Sequence, residues 1–257
     1  WGEPGPQDRY ATLEDHILRW LGAAVRKSCK HAGVDAIHLL GYCVGGTFAI
    51  AYAALRPEKV AGLIALTAPV NFHDDGILSV WARDPNFDVD RLSDEFGSIP
   101  SGLLQSSFAM MNPLSQKQKV SALWDRLWND KFVEGFLSLE SWLNDNVDFP
   151  GATYSRYIKE LYRENKLIKG EFELNGEKVL LENIECPLLT VVSKKDHIVP
   201  GNSATMLNDY VSSDDKELLE LPSGHIGVTV GSRAKDGLWT ASEQWLSAHP
   251  CPQKEDL

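Results

Sequence analysis

Apolar residues recur along the chain in two rhythms. Leu13, Ile17, Trp20, Leu21, Ala24 and Val25 form one helical stripe. Thr12 stands at its start as a cap for the first-turn N–H groups, with Glu14 and Asp15 beside the positive helix end. Gly33 ends the helix just past His31. The apolar run 36–40 then predicts a short buried strand. Small residues over 47–55 predict a helix, which Arg56-Pro57 stops, and 60–68 reads as the next strand. Strand, helix and strand, with wholly apolar strands, is the signature of a parallel sheet covered on both faces.

From Val70 to about Leu180 the rhythm changes. Strand runs vanish, Trp and Phe become frequent, and Asp, Asn and Pro punctuate densely. Residues 120–144 read as mostly helical, with Leu123, Leu127, Phe136, Leu139 and Leu143 among the apolar positions. The block 70–182 is therefore expected to be a helical cap inserted between a first core segment, 1–69, and a second, 183–257. Sheet rhythm returns at 187–192, followed by a helix near 203–211, a strand over 217–221 and a closing helix around 235–248. The tail from Pro250 is polar and expected to be loose.

The chain has 257 residues, with 25 Lys and Arg against 36 Asp and Glu for a net charge of −11. Its 43% hydrophobic and 24% charged content argues against disorder. The acidic balance argues against nucleic acid, whose phosphates call for clustered Lys and Arg. The longest apolar run, 60–70, is too short for a membrane span, and the first residues lack the basic and apolar stretches of a signal peptide. Cys29, Cys43, Cys186 and Cys251 form no CxxC pair and no His/Cys cluster at zinc spacing. A reduced cytoplasmic protein without a metal is the expectation.

Gly41-Tyr42-Cys43-Val44-Gly45 is a G-x-C-x-G pentapeptide between a strand and a helix. This is the nucleophile-elbow context of an α/β-hydrolase fold, with Cys in the place of Ser. The turn is expected to be tight enough to require glycine two residues before and two after the nucleophile. Cys43 would sit at a helix N-terminus, where the dipole favours a thiolate, and the Val44 N–H would donate to an oxyanion. Such a nucleophile is followed in chain order by an acid and a histidine. Asp196 follows the run 187–192, and His225 follows the run 217–221, so both leave carboxyl ends of sheet strands, as Cys43 does. His225 is the expected base and Asp196 its orienting acid. His197 is a competing base, disfavoured by sitting next to Asp196 in sequence. His16, His31, His38, His73 and His249 read as solvated or packed, Cys29 and Cys186 as inert, and Cys251 as a tail thiol open to incidental oxidation.

These segments resemble a known family. Trp1-Gly-x-Pro, Asp8-Arg9-Tyr10, the helix start Thr12-Leu-Glu-Asp-His16, Gly41-Tyr-Cys-Val-Gly-Gly-Thr47, Arg56-Pro-Glu-Lys-Val60, 165–170, Asp196-His-Ile-Val-Pro200 and Ser223-Gly-His-Ile-Gly227 occur in order. Together they look like the catalytic subunit of polyhydroxyalkanoate synthase, most like the two-subunit class III type. The resemblance covers nearly the whole chain, cap included. It implies an α/β-hydrolase fold and a Cys-based acyltransferase that polymerises (R)-3-hydroxyacyl-CoA, 3-hydroxybutyryl-CoA foremost, and releases coenzyme A. Coenzyme A is then substrate and product rather than a cofactor. Cys43 is implied as nucleophile, His225 as base and Asp196 as third member. Either Asp196 or His225 would activate the incoming 3-hydroxyl. A second, helical subunit, a homodimer and residence at the surface of polyester granules are also implied. The cap would exclude water, because hydrolysis ends the chain, and would open to admit substrate.

Only 42 residues precede Cys43. The strands that open this fold, and the loop giving a second oxyanion donor, are therefore expected outside this chain. No dense Lys/Arg cluster announces a coenzyme A groove. Arg83, Lys194 and Lys195 are the candidates, the two lysines more simply as solvated loop residues. Two other readings compete. A Cys-dependent hydrolase of the dienelactone hydrolase or thioesterase type shares the residue order, although 153 residues between nucleophile and acid exceed what a compact sheet needs. A catalytically silent subunit could bind a partner or granule through Trp81, Trp124, Trp128 and Trp142, for which packing within the cap is the preferred expectation.

Overall fold

A computed structural model describes residues 2–231 and 233–252; Trp1 of the first family segment and the tail from 253 lie outside the described residues. The chain divides into two compact units. One holds the described residues up to Ala11 together with Asp88–Ser155, and the other Thr12–Phe87 with Arg156 onward.

The second unit carries a four-stranded parallel sheet in the order β1 (Ile37–Tyr42), β2 (Val60–Leu66), β3 (Leu188–Ser193), β4 (Lys216–Leu221). Leu39 pairs with Leu63, Leu63 with Leu188, and Thr190 with Leu218. Every residue of β3 is buried, and all of β2 but Ala61, as two-sided cover requires. β4 departs from that expectation. It is one of the two sheet edges, its side chains are largely exposed, and its Lys216, Glu217 and Glu220 suit an unpaired edge.

Helix α1 (Gly22–Ala32) continues a widened helical turn, Asp15–Leu21. Its start is a reciprocal box: Thr12 Oγ1 accepts from Asp15 N at 3.2 Å while Asp15 Oδ2 accepts from Thr12 N at 3.0 Å. Gly33, at φ +70°, ends α1 as expected. Helix α2 (Val44–Leu55) runs directly out of the elbow and is buried along nine of its 12 residues. Its run of Gly and Ala lets it lie close against β1 and β2.

The 70–182 block divides between the units. Asp88–Ser155 belongs to the helical unit, whereas 70–87 and 156–182 belong to the sheet-bearing one. Hydrogen bonds account for the latter placement. Asn165 Oδ1 accepts from Phe72 N at 2.9 Å, Arg163 Nε donates to the Ala82 carbonyl at 3.0 Å, and a His73 ring nitrogen lies 3.1 Å from the Arg163 carbonyl. The helical unit holds helices Ser101–Met111, Pro113–Trp124 and Asp130–Asn144 and a two-strand pairing of Ser98–Ile99 with Phe149–Pro150. The tryptophans depart from the packed expectation: Trp124 is 76% exposed, Trp128 81% and Trp142 48%. Trp81, in the sheet-bearing unit, is 39% exposed. Among the described residues no helix is long and apolar enough to cross a membrane.

Candidate active site

β1 ends at Tyr42 and α2 begins at Val44, so Cys43 alone makes the turn. Its φ of +53° is a conformation a residue bearing Cβ adopts at a cost. The surroundings enforce it. Cys43 N donates to the Leu66 carbonyl of β2 at 3.0 Å, and the Cys43 carbonyl accepts from Gly46 N and Thr47 N at 2.9 and 3.1 Å. The side chain packs beside Val192, Val199 and Ala204, which joins the elbow to the end of β3 and the loop after it. The Val44 N–H heads α2, where helix geometry leaves donors free of intrahelical partners.

The glycine expectation needs one correction. A Cβ on Gly41 would lie 2.5 Å from Gly46 Cα, and one on Gly46 would lie 2.3 Å from Ala68 Cβ, whereas one on Gly45 would meet nothing within 4 Å. The close approach is between the strand end and the third residue after Cys43. Gly45 points to open space.

Asp196 and His225 come to this turn from the ends of β3 and β4. The two strand exits are tied by Lys195 N donating to the Ser223 carbonyl at 3.0 Å and by the Ser193 and Ser223 hydroxyls at 3.2 Å. Asp196 Oδ1 accepts from Ile198 N and Val199 N at 2.8 and 2.9 Å, and its Oδ2 lies 2.6 Å from His225 Nδ1. The Asp196 side chain is fully buried and that of His225 is 6% exposed. Burial opposes the charged imidazole, but hydrogen bonds to the Asp196 carboxylate and to the Cys43 thiol outweigh it and raise the His225 pKa to about 10. The arrangement can hold a proton from the thiol on a carboxylate-backed imidazole and present sulfur at a helix N-terminus.

The competing histidine, His197, is exposed. Lys194 pairs with Glu220 at 2.8 Å on the surface, Lys195 is exposed, and Arg83 donates to the Ser79 and Asp74 carbonyls at 3.1 and 2.9 Å. Burial pushes the Cys186 thiol up to about 11, which suits an inert cysteine. Cys251 differs from a bare tail thiol, since its sulfur lies 3.0 Å from His38 Nδ1. Among the described residues, the one group of three side chains spaced to hold a metal is Asp215, Glu217 and His249, of which both carboxylates are exposed.

Two neighbours were not legible beforehand. Tyr42 touches His225 directly, with its hydroxyl donating to the His225 carbonyl at 3.0 Å. Thr67, just past β2, is buried at φ +42°. In the sequence Tyr42 is only the variable second position of the elbow pentapeptide and Thr67 only a residue of the apolar run 60–68, and neither pattern signals these placements.

Residues 3–231 match the family model described as alpha/beta hydrolase fold. A metagenome-derived lipolytic enzyme shares the fold at TM-score 0.56 and 16% identity, over 95% of this chain and 78% of its own. An esterase from Thermogutta terrifontis does so at 0.56 and 18%, over 93% and 74%. The chain is thus an α/β hydrolase by fold, with cysteine at the elbow. Relatives named poly(3-hydroxyalkanoate) polymerase subunit PhaC narrow this further. The protein from Haloferax mediterranei is 39% identical over 96% of this chain and 51% of its own length. That from Allochromatium vinosum is 36% identical over 96% and 70%, and that from Synechocystis is 36% identical over 96% and 67%. The chain belongs to the poly(3-hydroxyalkanoate) polymerase subunit PhaC family. It spans about half the length of the Haloferax relative.

Proposed function

We propose that this chain is the acyl-transfer part of a polyhydroxyalkanoate synthase that joins (R)-3-hydroxyacyl-CoA units, 3-hydroxybutyryl-CoA foremost, into polyester and releases coenzyme A. The observation that carries the reading is the 36% identity over 96% of the chain to the Allochromatium vinosum polymerase subunit.

The geometry supports a Cys43–His225–Asp196 triad in the following roles. His225 takes the Cys43 proton, and the sulfur attacks the thioester carbonyl. The Val44 N–H faces the developing oxyanion. The bond from the acyl carbon to the coenzyme A sulfur breaks, and that sulfur leaves with the proton from His225. The acyl group then rests on Cys43 as a thioester, which keeps it activated for the next bond. A 3-hydroxyl next attacks a thioester carbonyl on Cys43 and gives its proton to His225. The ester bond forms, and the Cys43 sulfur leaves and recovers the proton. His225 is the better base for that hydroxyl. Oδ1 of Asp196 is engaged by two backbone N–H groups and Oδ2 by His225, so the carboxylate is fully occupied in orienting the imidazole. The family resemblance extends the proposal to a second helical subunit, a homodimer and a cytoplasmic site at the polymer granule.

The test is coenzyme A release from (R)-3-hydroxybutyryl-CoA, read with a thiol reagent, with mass spectrometry of the products. Release with ester-linked oligomers that vanishes in Cys43→Ala is expected. Free 3-hydroxybutyrate alone, release that survives Cys43→Ala, or no release would overturn the proposal for this chain.

A further inference from the structure

The geometry points to Tyr42, the residue immediately before the nucleophile, as a positioning residue that orients the His225 imidazole and favours its charged form through a face-to-face ring contact and a backbone tether. The ring centroids lie 5.0 Å apart with planes 27° from parallel, and the Tyr42 hydroxyl donates to the His225 carbonyl at 3.0 Å. The inference rests on the proposed Cys43–His225 pair.

Strand alternation explains how one residue does both. Tyr42 is the last residue of β1, and its side chain leaves the face opposite Gly41. Gly41 keeps the tight contact with Gly46, which frees Tyr42 to turn toward the ends of the neighbouring strands. There its ring packs against the buried cluster containing Leu66, Val191, Val228 and Leu238, so apolar packing sets its orientation. The imidazole is then defined on three sides. Asp196 holds Nδ1, the Cys43 thiol bonds the ring as well, and the Tyr42 face covers the plane. Among the described residues these three, from the loop after β3, the elbow and β1, are the titratable groups that face His225.

An aromatic face attracts the positive charge that appears when His225 takes the thiol proton. Burial, followed by the nearby Cys43 and Asp196, holds the Tyr42 phenol above its ordinary range. Its hydroxyl therefore stays protonated, and remains a donor, while His225 titrates.

The measurement is the pH dependence of Cys43 alkylation by iodoacetamide in the full chain, read by peptide mass spectrometry, with melting curves to show that each variant is folded. It requires no acyl substrate, so failure of the polymerase reading would leave it interpretable. Tyr42→Leu is expected to raise the alkylation midpoint by about 0.5–1 pH unit and to slow labelling at pH 7 about three- to tenfold, the loss of a desolvated cation–π contact. Tyr42→Phe retains the ring, so its midpoint should stay within about 0.2 pH unit of the wild type, while labelling slows about twofold without the tether. His225→Gln sets the scale for complete loss of the base. A His225→Gln shift with none in Tyr42→Leu overturns the role of Tyr42 and leaves the base standing. A Tyr42→Phe shift as large as that of Tyr42→Leu overturns the ring contact. No shift in His225→Gln overturns the pair and this inference with it.

Discussion

Helix α2 and the helix Asp130–Asn144 are comparable in length and opposite in use. Nine of 12 residues of α2 are buried, while Asp130–Asn144 buries none of its 15. α2 is made of small residues wedged against two strands, and the proposed nucleophile immediately precedes its first turn. Asp130–Asn144 displays Leu137 at 58% exposure and Trp142 at 48%. The contrast teaches where rigidity is placed. A positive-φ cysteine persists only where its surroundings over-determine it, and the sheet-bearing unit supplies such surroundings through Leu66, Gly46, Ala68 and Val192.

The sharpest break of this comparison is a side-chain truncation in each helix. Ile50 is fully buried, so Ile50→Ala should destabilise the sheet-bearing unit by about 2–5 kcal/mol. Leu137→Ala on the exposed helix should cost less than about 0.5 kcal/mol, the usual range for surface changes. Urea unfolding followed by circular dichroism checks both. Equal losses at the two positions would mean that exposure does not describe the helical unit in solution.

A smaller effect separates the elbow glycines. Gly46→Ala places a methyl 2.3 Å from Ala68 Cβ and 2.9 Å from the Gly41 carbonyl oxygen, neither of which is a flexible chain end. About 1–3 kcal/mol of overpacking strain is expected, together with loss of Cys43 reactivity toward iodoacetamide. Gly45→Ala should fold and label like the wild type.

That pair also marks what could be read from the sequence. The order of strand, elbow and helix, and the acid and histidine after later strand ends, were legible because each leaves a local signature: an apolar run, a Gly-x-Cys-x-Gly spacing, a turn at a strand exit. Which elbow glycine is indispensable was not, because it depends on Ala68, a residue beyond the next strand. The exposed Trp124 and Trp128 were equally hidden, since aromatic content carries no record of which face it lies on. Tyr42 was visible only as the variable second position of the elbow pentapeptide, its contact with His225 being 183 positions away in sequence.

The pH dependence of stability probes the same rigid unit. His225 in the folded chain has its pKa raised to about 10, above the ordinary value near 6.5 of an unfolded histidine. The folded state therefore binds the proton more tightly. The resulting stability is fully present below about pH 6.5 and is lost as pH rises through about 10. Asp196→Asn removes the carboxylate that raises the pKa, so its stability should fall less than that of the wild type over this interval. Thermal melts at pH 6, 8 and 10 check this. Parallel losses in the two proteins would remove Asp196 as the source.

The smallest effect has the opposite sign. Gly135 lies within Asp130–Asn144, and a Cβ there would meet nothing within 4 Å. Glycine inside a helix costs about 0.5–1 kcal/mol relative to alanine, because the unfolded chain gains freedom that folding must remove. Gly135 is exposed, so Gly135→Ala should stabilise the helical unit by about that amount. The same substitution at Gly46 destabilises, although both positions are helical. The difference is the company each residue keeps: backbone and Ala68 at one, open space at the other. Slower amide hydrogen exchange along Asp130–Asn144 in Gly135→Ala is the expected signature. Faster exchange would mean that the space beside Gly135 is filled in solution, and the contrast between the two helices would narrow accordingly.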